Sequence, residues 1–476
     1  MKSKWIYKIK WSPLNSGEID KFKARFIVRG FGLTQGVHYG NSNAATVEAM
    51  TVKIFWYLVC VFKLNVRSSD FRSFFLEGDP DHAMYCEQAE GYEQGEKGRF
   101  VLLLLKGLYG TPPAPYFAQR KFDAIMKKLG FTKLMNDSRC FMLSDKRGVC
   151  IVINHVDDCV YGFNNPAMAN ELEAAWKKVF TCTIDYKPRT YLSTVIDLDR
   201  TAQTVHLSQA HKIQELLKLT GMDQCNSVST PACISLQRKN EVEALPREQN
   251  KTYMTVVGKL IYISSARPDI AYAVNARCRR MSASDENDDL EAKRILRYLQ
   301  GTATHRLKFD AKIAEPTRFF AYSDASFADA PGAKSTGATT ITVGKAKNHS
   351  HCNIIAHRSF TQQIPAESAA EAELYSVCET AKSVQHVRNL AAELGLPQRE
   401  PTTIYTDSNA VIDGLKSPDK ARTRHYRRRQ WKLRYLIMHR IISIVTVHTD
   451  ENIADLGTKA LGATKHAHFC KKFLAI

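Results

Sequence analysis

The chain has 476 residues, 44% hydrophobic and 10% aromatic, with 67 Lys and Arg against 48 Asp and Glu for a formal charge of +19. That length calls for about three units of roughly 100–200 residues, and the composition excludes a disordered or low-complexity chain, while the basic excess, interleaved with Tyr, Phe and Trp, favours a polyanion held through its phosphates. The 12 cysteines stand singly with no C-x-x-C pair, which excludes a disulfide framework and a zinc ribbon, and the longest apolar run, Ile54 to Phe62, is well short of the ~20 residues of a membrane span.

From Trp5 to about Tyr161, short β-rich runs such as Phe26-Ile27-Val28 and Val101 to Leu105 alternate with helical stretches such as Ala118 to Leu129, the pattern of an α+β sheet domain. Within it Asp70 follows an apolar run. Ile151 to Tyr161 reads as two strands flanking an Asp157-Asp158 tip. Adjacent strand residues point to opposite faces, so both carboxylates reach one site only if the turn bends the backbone between them, and a separate strand must supply Asp70.

A helix is predicted at about Gln209 to Thr220, a breaker at Thr230-Pro231, a polar linker over Arg238 to Asn250 and a helical block from about Thr252 to Leu299. After Pro316 the order becomes strand (Arg318 to Tyr322), strand (Thr339 to Val343), strand (about Asn353 to His357), helix (Ala369 to Leu394), strand (Thr402 to Thr406), helix (Ser408 to Leu415) and strand (Ile441 to Val447). That order predicts a second, mixed-sheet α/β domain.

This domain carries its own acids. Asp324 and Asp407 end predicted strands, Asp455 lies in Glu451 to Leu456, and Glu371-Ala372-Glu373-Leu374 opens the long helix. At ~100° per residue the two glutamates lie about 200° apart, both flanking the apolar stripe, so periodicity does not choose between them. Hard divalent cations prefer carboxylate oxygen, and clustered carboxylates that hold two of them suit phosphoryl transfer.

Several stretches in order, Lys21 to Phe31, Asp70 to Gly78, Leu108-Tyr109-Gly110 with Ala114-Pro115, Val156-Asp157-Asp158, Thr230-Pro231, Arg267 to Tyr272 and Leu296 to Thr302, resemble the reverse transcriptase of copia-type retrotransposons. Tyr322 to Ala325, Ala370 to Leu374, Tyr405 to Ser408 and Ile453 to Lys459 resemble the ribonuclease H domain of the same elements. The resemblance implies an α+β multidomain protein: a right-hand polymerase with fingers and palm over residues 1–195, a thumb-like segment and linker over 196–245, a helical connection over 246–315, and a ribonuclease H-like domain over 316–476.

It implies Asp70, Asp157 and Asp158 as the polymerase acids and Asp324, Glu373, Asp407 and Asp455 as the ribonuclease H tetrad, each set holding two Mg²⁺, with Mn²⁺ as a substitute. Phe75 falls where the family places the aromatic that crowds the sugar 2′ position. Lys23, Arg25 and Tyr109 belong to the expected substrate-binding set on the polymerase side. Arg422, Arg424 and His425 lie in a basic run expected to meet phosphates. The implied partners are an RNA template, a DNA primer, an RNA–DNA hybrid and deoxynucleoside triphosphates, with no membrane; the expected place is intracellular, in a virus-like particle or the nucleus. No protease-type or integrase-type motif is found, as expected of a piece of a larger polyprotein.

Four places depart from the family pattern. His155 stands for Tyr, Phe74 for a small residue expected against substrate, Thr111-Pro112-Pro113 for Leu-Lys-Gln, and Leu192-Ser193 for Leu-Gly. They suggest an impaired polymerase pocket and leave open a remnant that binds nucleic acid without chemistry. Two histidine-containing clusters, His349, His351 and Cys352, and His466, His468 and Cys470, lack finger spacing and give only a weak zinc reading.

Overall fold

The computed structural model describes residues 1–11, 18–96, 98–234, 243–313, 317–344, 352–417 and 426–476. They form two compact units, one of Met1–Glu48 with Asn65–Pro188, the other of Ala49–Leu64 with Arg189–Ile476. The apolar run Ile54 to Phe62 lies largely in the helix Ala49–Val61, whose Ile54 to Cys60 are all buried. A helix apolar on every side must be enclosed on every side, and this one packs within the second unit, although it falls inside residues 1–195.

The first unit is built on an antiparallel six-stranded sheet in the order Cys182–Asp185, Asn65–Phe71, Asp158–Phe163, Gly148–His155, Cys140–Asp145, Thr132–Lys133. The helices Ala114–Lys128 and Pro166–Lys177 contribute Phe122 and Trp176 to a core with Phe71, Phe141, Tyr161 and Phe180. Because Phe71 and Cys159 point into that core, their strand neighbours Asp70 and Asp158 point to the other face. A long hairpin, Ser3–Trp11 with Ile19–Val28, completes the unit together with the short pair Tyr85–Glu87 and Val101–Leu103.

The second unit holds two sheets. One runs Thr190–Tyr191, Thr194–Asp199, Thr204–Ser208, Arg306–Asp310, Leu474–Ala475, so the segment expected as thumb and the end of the chain share a ladder. Its neighbours are the helices Ala210–Leu219, Arg247–Ser264, Ala271–Cys278 and Glu286–Gly301, packed around Leu216, Leu260, Ile270, Ile295 and Leu299. Asp285 starts the last of these with a reciprocal capping box to Asp288. The expected linker Arg238 to Asn250 is therefore shorter than predicted, since helix begins at Arg247; residues 235–242 lie outside the described residues.

The other sheet is mixed, in the order Asn353–Thr361, Lys334–Gly344, Arg318–Ala330, Thr402–Thr406, Ile442–Thr446. The first three strands pair antiparallel and the last two join in parallel, as a crossover through the helix Ala369–Glu393 requires. The mixed α/β multidomain architecture expected from the sequence is the one observed. A helix over Arg427–Met438, which the strand-and-helix reading left unassigned, lies before the final parallel strand.

Candidate active sites

In the mixed sheet, the parallel pairing of Arg318–Ala330 with Thr402–Thr406 ends at Tyr322 and Tyr405. Asp324 lies two residues beyond that pair, within a strand that runs on to Ala330 rather than ending at Tyr322, and Asp407 directly follows Thr406, so both acids sit just past the point where the parallel pairing stops. Ser368 caps the long helix by accepting from the Glu371 N–H at 3.2 Å, which fixes the first turn that presents Glu373. Carboxylate oxygens of Asp324, Glu373 and Asp407 lie within 4.8 Å of one another.

Burial and the charge of Asp455 push Asp324 up to about 7, against the pull of Lys459 and Thr458. Burial and the charges of Asp324 and Asp407 push Glu373 well above the usual carboxylate range. Glu373 Oε1 accepts from the Ala325 N–H at 3.1 Å, while Oε2 is buried with no hydrogen-bond partner. Three crowded acids with an orphaned oxygen fit a bound divalent cation, which would relieve their mutual repulsion.

Asp455 is fully buried and engaged differently. Lys459 Nζ lies 2.9 Å from its Oδ1 and Lys465 Nζ 2.8 Å from its Oδ2, close ion pairs without hydrogen-bond alignment. Lys459 also reaches Asp324 Oδ2 at 3.5 Å. Of the four acids expected here, the structure groups three and pairs the fourth with two lysines. Glu371 turns away: its Oε2 accepts from the Glu367 N–H at 2.8 Å and Arg429 lies 3.8 Å off.

In the first unit, Asp70 pairs directly with Asp158, and Asp158 in turn with His155. Val156 and Asp157 form the two-residue hairpin turn, with Val156 at φ 60°, a left-handed conformation that a β-branched residue rarely adopts. The Asp157 carbonyl accepts from the Phe71 N–H at 2.9 Å, tying the turn to the Asp70 strand. Among the described residues, the Asp324 group is the one in which three such side chains meet within 4.8 Å; Asp70, Asp157 and Asp158 share a sheet end without meeting that closely.

Beside this end, Phe75 and Tyr109 meet edge to face with centroids 5.7 Å apart, and the Arg25 guanidinium lies 5.4 Å from the Tyr109 ring. Lys23 is half-buried on the same strand as Arg25, opposite Lys8. Arg422, Arg424 and His425 lie outside the described residues, as do His349 and His351. His466 and Cys470 are no open ligand pair: they are buried, His466 Nε2 lies 3.1 Å from the Asp269 carbonyl, and Nδ1 lies 3.6 Å from Cys470 Sγ.

Residues 1–234 match the family described as reverse transcriptase (RNA-dependent DNA polymerase). Over 485 residues the chain is 29% identical to the retrovirus-related Pol polyprotein from transposon TNT 1-94 of Nicotiana tabacum, covering 100% of this chain and 36% of that protein. Over 471 residues it is 26% identical to the Pol polyprotein from transposon RE1 of Arabidopsis thaliana, covering 98% of this chain and 31% of that protein. Residues 1–234 belong to the reverse transcriptase family, and the whole chain is similar to retrotransposon Pol polyproteins. It spans about a third of the length of these relatives. Among solved structures, the foamy viral protease-reverse transcriptase in complex with dsDNA is similar over 94% of this chain and 79% of that chain, at a TM-score of 0.47 and 11% identity, and nothing further rests on that likeness.

Within the reverse transcriptase family, two of this chain's departures are accommodated. Phe74 does not lie where substrate was expected; it is 2% exposed, packed against Phe71 and Phe180 at 5.7 and 5.6 Å, so its bulk fills the core. Pro113 is the N-cap of Ala114–Lys128, where a missing N–H removes no helical bond. The other two carry a cost. Leu192 and Ser193 both take positive φ, 46° and 51°, between paired strands, in a turn that favours glycine. His155 is half-buried, its Nδ1 has no partner, and burial lowers its pKa against the pull of Asp157.

Sequence reasoning did not single out the residues that hold the acids. Thr458 donates to Asp324 Oδ2 and Thr449 to Asp407 Oδ2. Ser376 Oγ, buried on the long helix, donates to the Asp324 carbonyl at 2.7 Å, and Asn452 Nδ2 donates to the Ser323 carbonyl at 3.0 Å. Asn452, Thr458 and Lys459 lie within the stretches quoted around Asp455, but neither type nor spacing gave them a role there.

Proposed function

We propose that the chain is an RNA-directed DNA polymerase with ribonuclease H activity, working through phosphoryl transfer at two separate carboxylate sites. The observation that carries this reading is the crowding of Asp324, Glu373 and Asp407 within 4.8 Å, just past the point where the parallel strand pairing stops. In this reading Asp324, Glu373 and Asp407 hold divalent cation, Mg²⁺ or Mn²⁺, and Asp455 stands behind them. The cation supplies Lewis-acid polarisation of a phosphoryl oxygen and neutralises developing charge. The protein's own part is orientation. Thr458 and Thr449 fix the carboxylates of Asp324 and Asp407, Ser376 anchors the strand beneath Asp324, and the lysines hold Asp455 in place.

Synthesis belongs in this reading to Asp70, Asp157 and Asp158, with Phe75 beside the sugar and Arg25, Lys23 and Tyr109 toward the triphosphate or template. The substrates are RNA template, DNA primer, RNA–DNA hybrid and deoxynucleoside triphosphates. The strained turn at Leu192-Ser193 and the buried His155 Nδ1 that lacks a hydrogen bond favour slower synthesis than in a relative that keeps Gly and Tyr there. A paired assay tests the assignment: Asp157→Asn should silence primer extension and spare hybrid cleavage, and Asp407→Asn the reverse. Absence of Mg²⁺-dependent turnover in both assays, with hybrid binding intact, would favour a binding remnant instead. Among the described residues no helix is long and apolar enough to cross a membrane.

A further inference from the structure

The second unit encloses a cavity of about 210 Å³ among the loop Pro231–Ile234, the helices Ala271–Cys278 and Glu286–Gly301, and the turn that includes Asp329 and Pro331. None of the acids assigned above lines it. Four arginines and two acids do: Arg277, Arg279, Arg280 and Arg294, with Glu291 and Asp329.

Counting Asp285 and Asp288 behind the lining, four acids stand near the four arginines, but the pairing is uneven. Arg277 pairs with Asp288 at 2.7 Å and with Glu291, and Arg280 pairs with Asp285 at 2.9 Å and Asp288 at 3.1 Å. Arg279 and Arg294 have no carboxylate within ion-pair distance among the described residues. Each donates to a threonine hydroxyl, Arg279 Nη2 to Thr336 at 2.6 Å and Arg294 Nη2 to Thr230 at 2.9 Å. The Nε–H of both is buried with no acceptor. Asp329, the acid nearest to hand for Arg279, accepts instead from the Thr336 N–H at 2.8 Å and the Thr336 hydroxyl at 2.6 Å.

Two partly buried guanidinium groups lining one void without an ion-paired acid among the described residues are a costly arrangement. A tetrahedral oxyanion answers it. Guanidinium forks match phosphate oxygens in geometry and charge, and the volume, below the roughly 300–1,000 Å³ of sites that enclose drug-sized ligands, suits a small anion. We infer that this cavity is a phosphate-binding site formed by Arg279 and Arg294, separate from both acidic centres. The phosphate comes either from a nucleic-acid backbone or from free phosphate. The inference does not depend on catalysis at either acidic site.

Arginine footprinting of the whole chain tests it without requiring any variant to fold. Phenylglyoxal labelling is followed by mass spectrometry with pyrophosphate, with a 5′-phosphorylated single-stranded oligonucleotide, or with neither. The expected result is slowing of label at Arg279 and Arg294 by about tenfold, as for a site at least nine-tenths occupied, with the exposed Arg399 unchanged. Protection by pyrophosphate alone assigns free phosphate, and protection by the oligonucleotide alone assigns the backbone; either supports the site. No protection by either ligand, or equal slowing at Arg399, overturns it. As a second reading, Arg279→Gln with Arg294→Gln should abolish the phosphate-dependent rise in Tm; an undiminished rise in the folded double variant also overturns it.

Discussion

Asp70 and Asp158 stand directly opposite each other across two antiparallel strands, on the sheet face turned away from the core of Phe71, Phe122 and Trp176. Like charges so placed destabilise a sheet by up to about 1 kcal/mol. Asp70→Asn should therefore raise the urea midpoint of the chain by an amount worth up to about 1 kcal/mol while removing primer extension. A loss of stability would show that Asp70 makes a favourable contact in the absence of substrate.

The turn at Leu192-Ser193 gives a prediction of the same kind with no functional cost attached. Both residues take positive φ, and glycine adopts that region without a Cβ penalty. Ser193→Gly should stabilise the chain by about 1 kcal/mol, read as a higher Tm. An unchanged or lower Tm would mean that Ser193 makes interactions that outweigh its backbone strain.

A buried ion pair governs the acid limb of stability. Arg267 donates to Asp269 at 2.9 and 2.7 Å, both are almost fully buried, and Tyr298 donates to the same carboxylate at 2.7 Å. Burial alone would raise the Asp269 pKa, but the Arg267 charge and hydrogen bonds outweigh it and hold Asp269 at about 2. The folded pKa is depressed, so this contribution is full above the unfolded value near 4 and is lost as pH falls toward 2. It amounts to roughly 2 kcal/mol. Asp269→Asn should lose that slope between pH 4 and 2, and Asp269→Ala, which strands the buried guanidinium, should cost about 3–5 kcal/mol in urea unfolding at pH 7.

Much of the mixed sheet was legible because its strands and long helix have distinct periods: Thr402–Thr406 was predicted to the residue, and the helix predicted to Leu394 ends at Glu393. The sheet joining Thr204–Ser208, Arg306–Asp310 and Leu474–Ala475 was not, since its partners are separated by about a hundred residues or more and short strands carry little periodic signal. Ala49–Val61 was invisible as an amphipathic helix because it has no polar face. At the sites, the acids stood out through type and spacing. Thr458, Thr449 and Ser376 did not, because a hydroxyl that orients a carboxylate has no sequence pattern of its own.

The crowding around Asp324 predicts a trade between stability and chemistry. Burial and Asp455 push its pKa up to about 7, so the protonated form is the stabilised one, and stability is lost as pH rises from the unfolded value near 4 through 7. Asp324→Asn should remove that loss and raise stability at pH 8 by roughly 1–3 kcal/mol without metal, while abolishing hybrid cleavage. Added Mg²⁺ should stabilise the unsubstituted chain more than the variant in thermal melts. Equal shifts would place the cation elsewhere.

The two glutamates at the start of the long helix separate by what each oxygen touches. Glu373 faces Asp324 and Asp407 and keeps one oxygen without a hydrogen bond, whereas Glu371 accepts from the Glu367 N–H and closes the turn before its own helix. Glu373→Gln therefore removes a charge from the acidic group, and Glu371→Ala removes a capping contact. The first should cut hybrid cleavage by at least about a hundredfold at little cost in stability. The second should lower stability by about 1 kcal/mol and leave cleavage within about threefold. Rates measured alongside urea midpoints distinguish the two, and a cleavage defect confined to Glu371→Ala would reverse the assignment and move the acidic site one face around the helix.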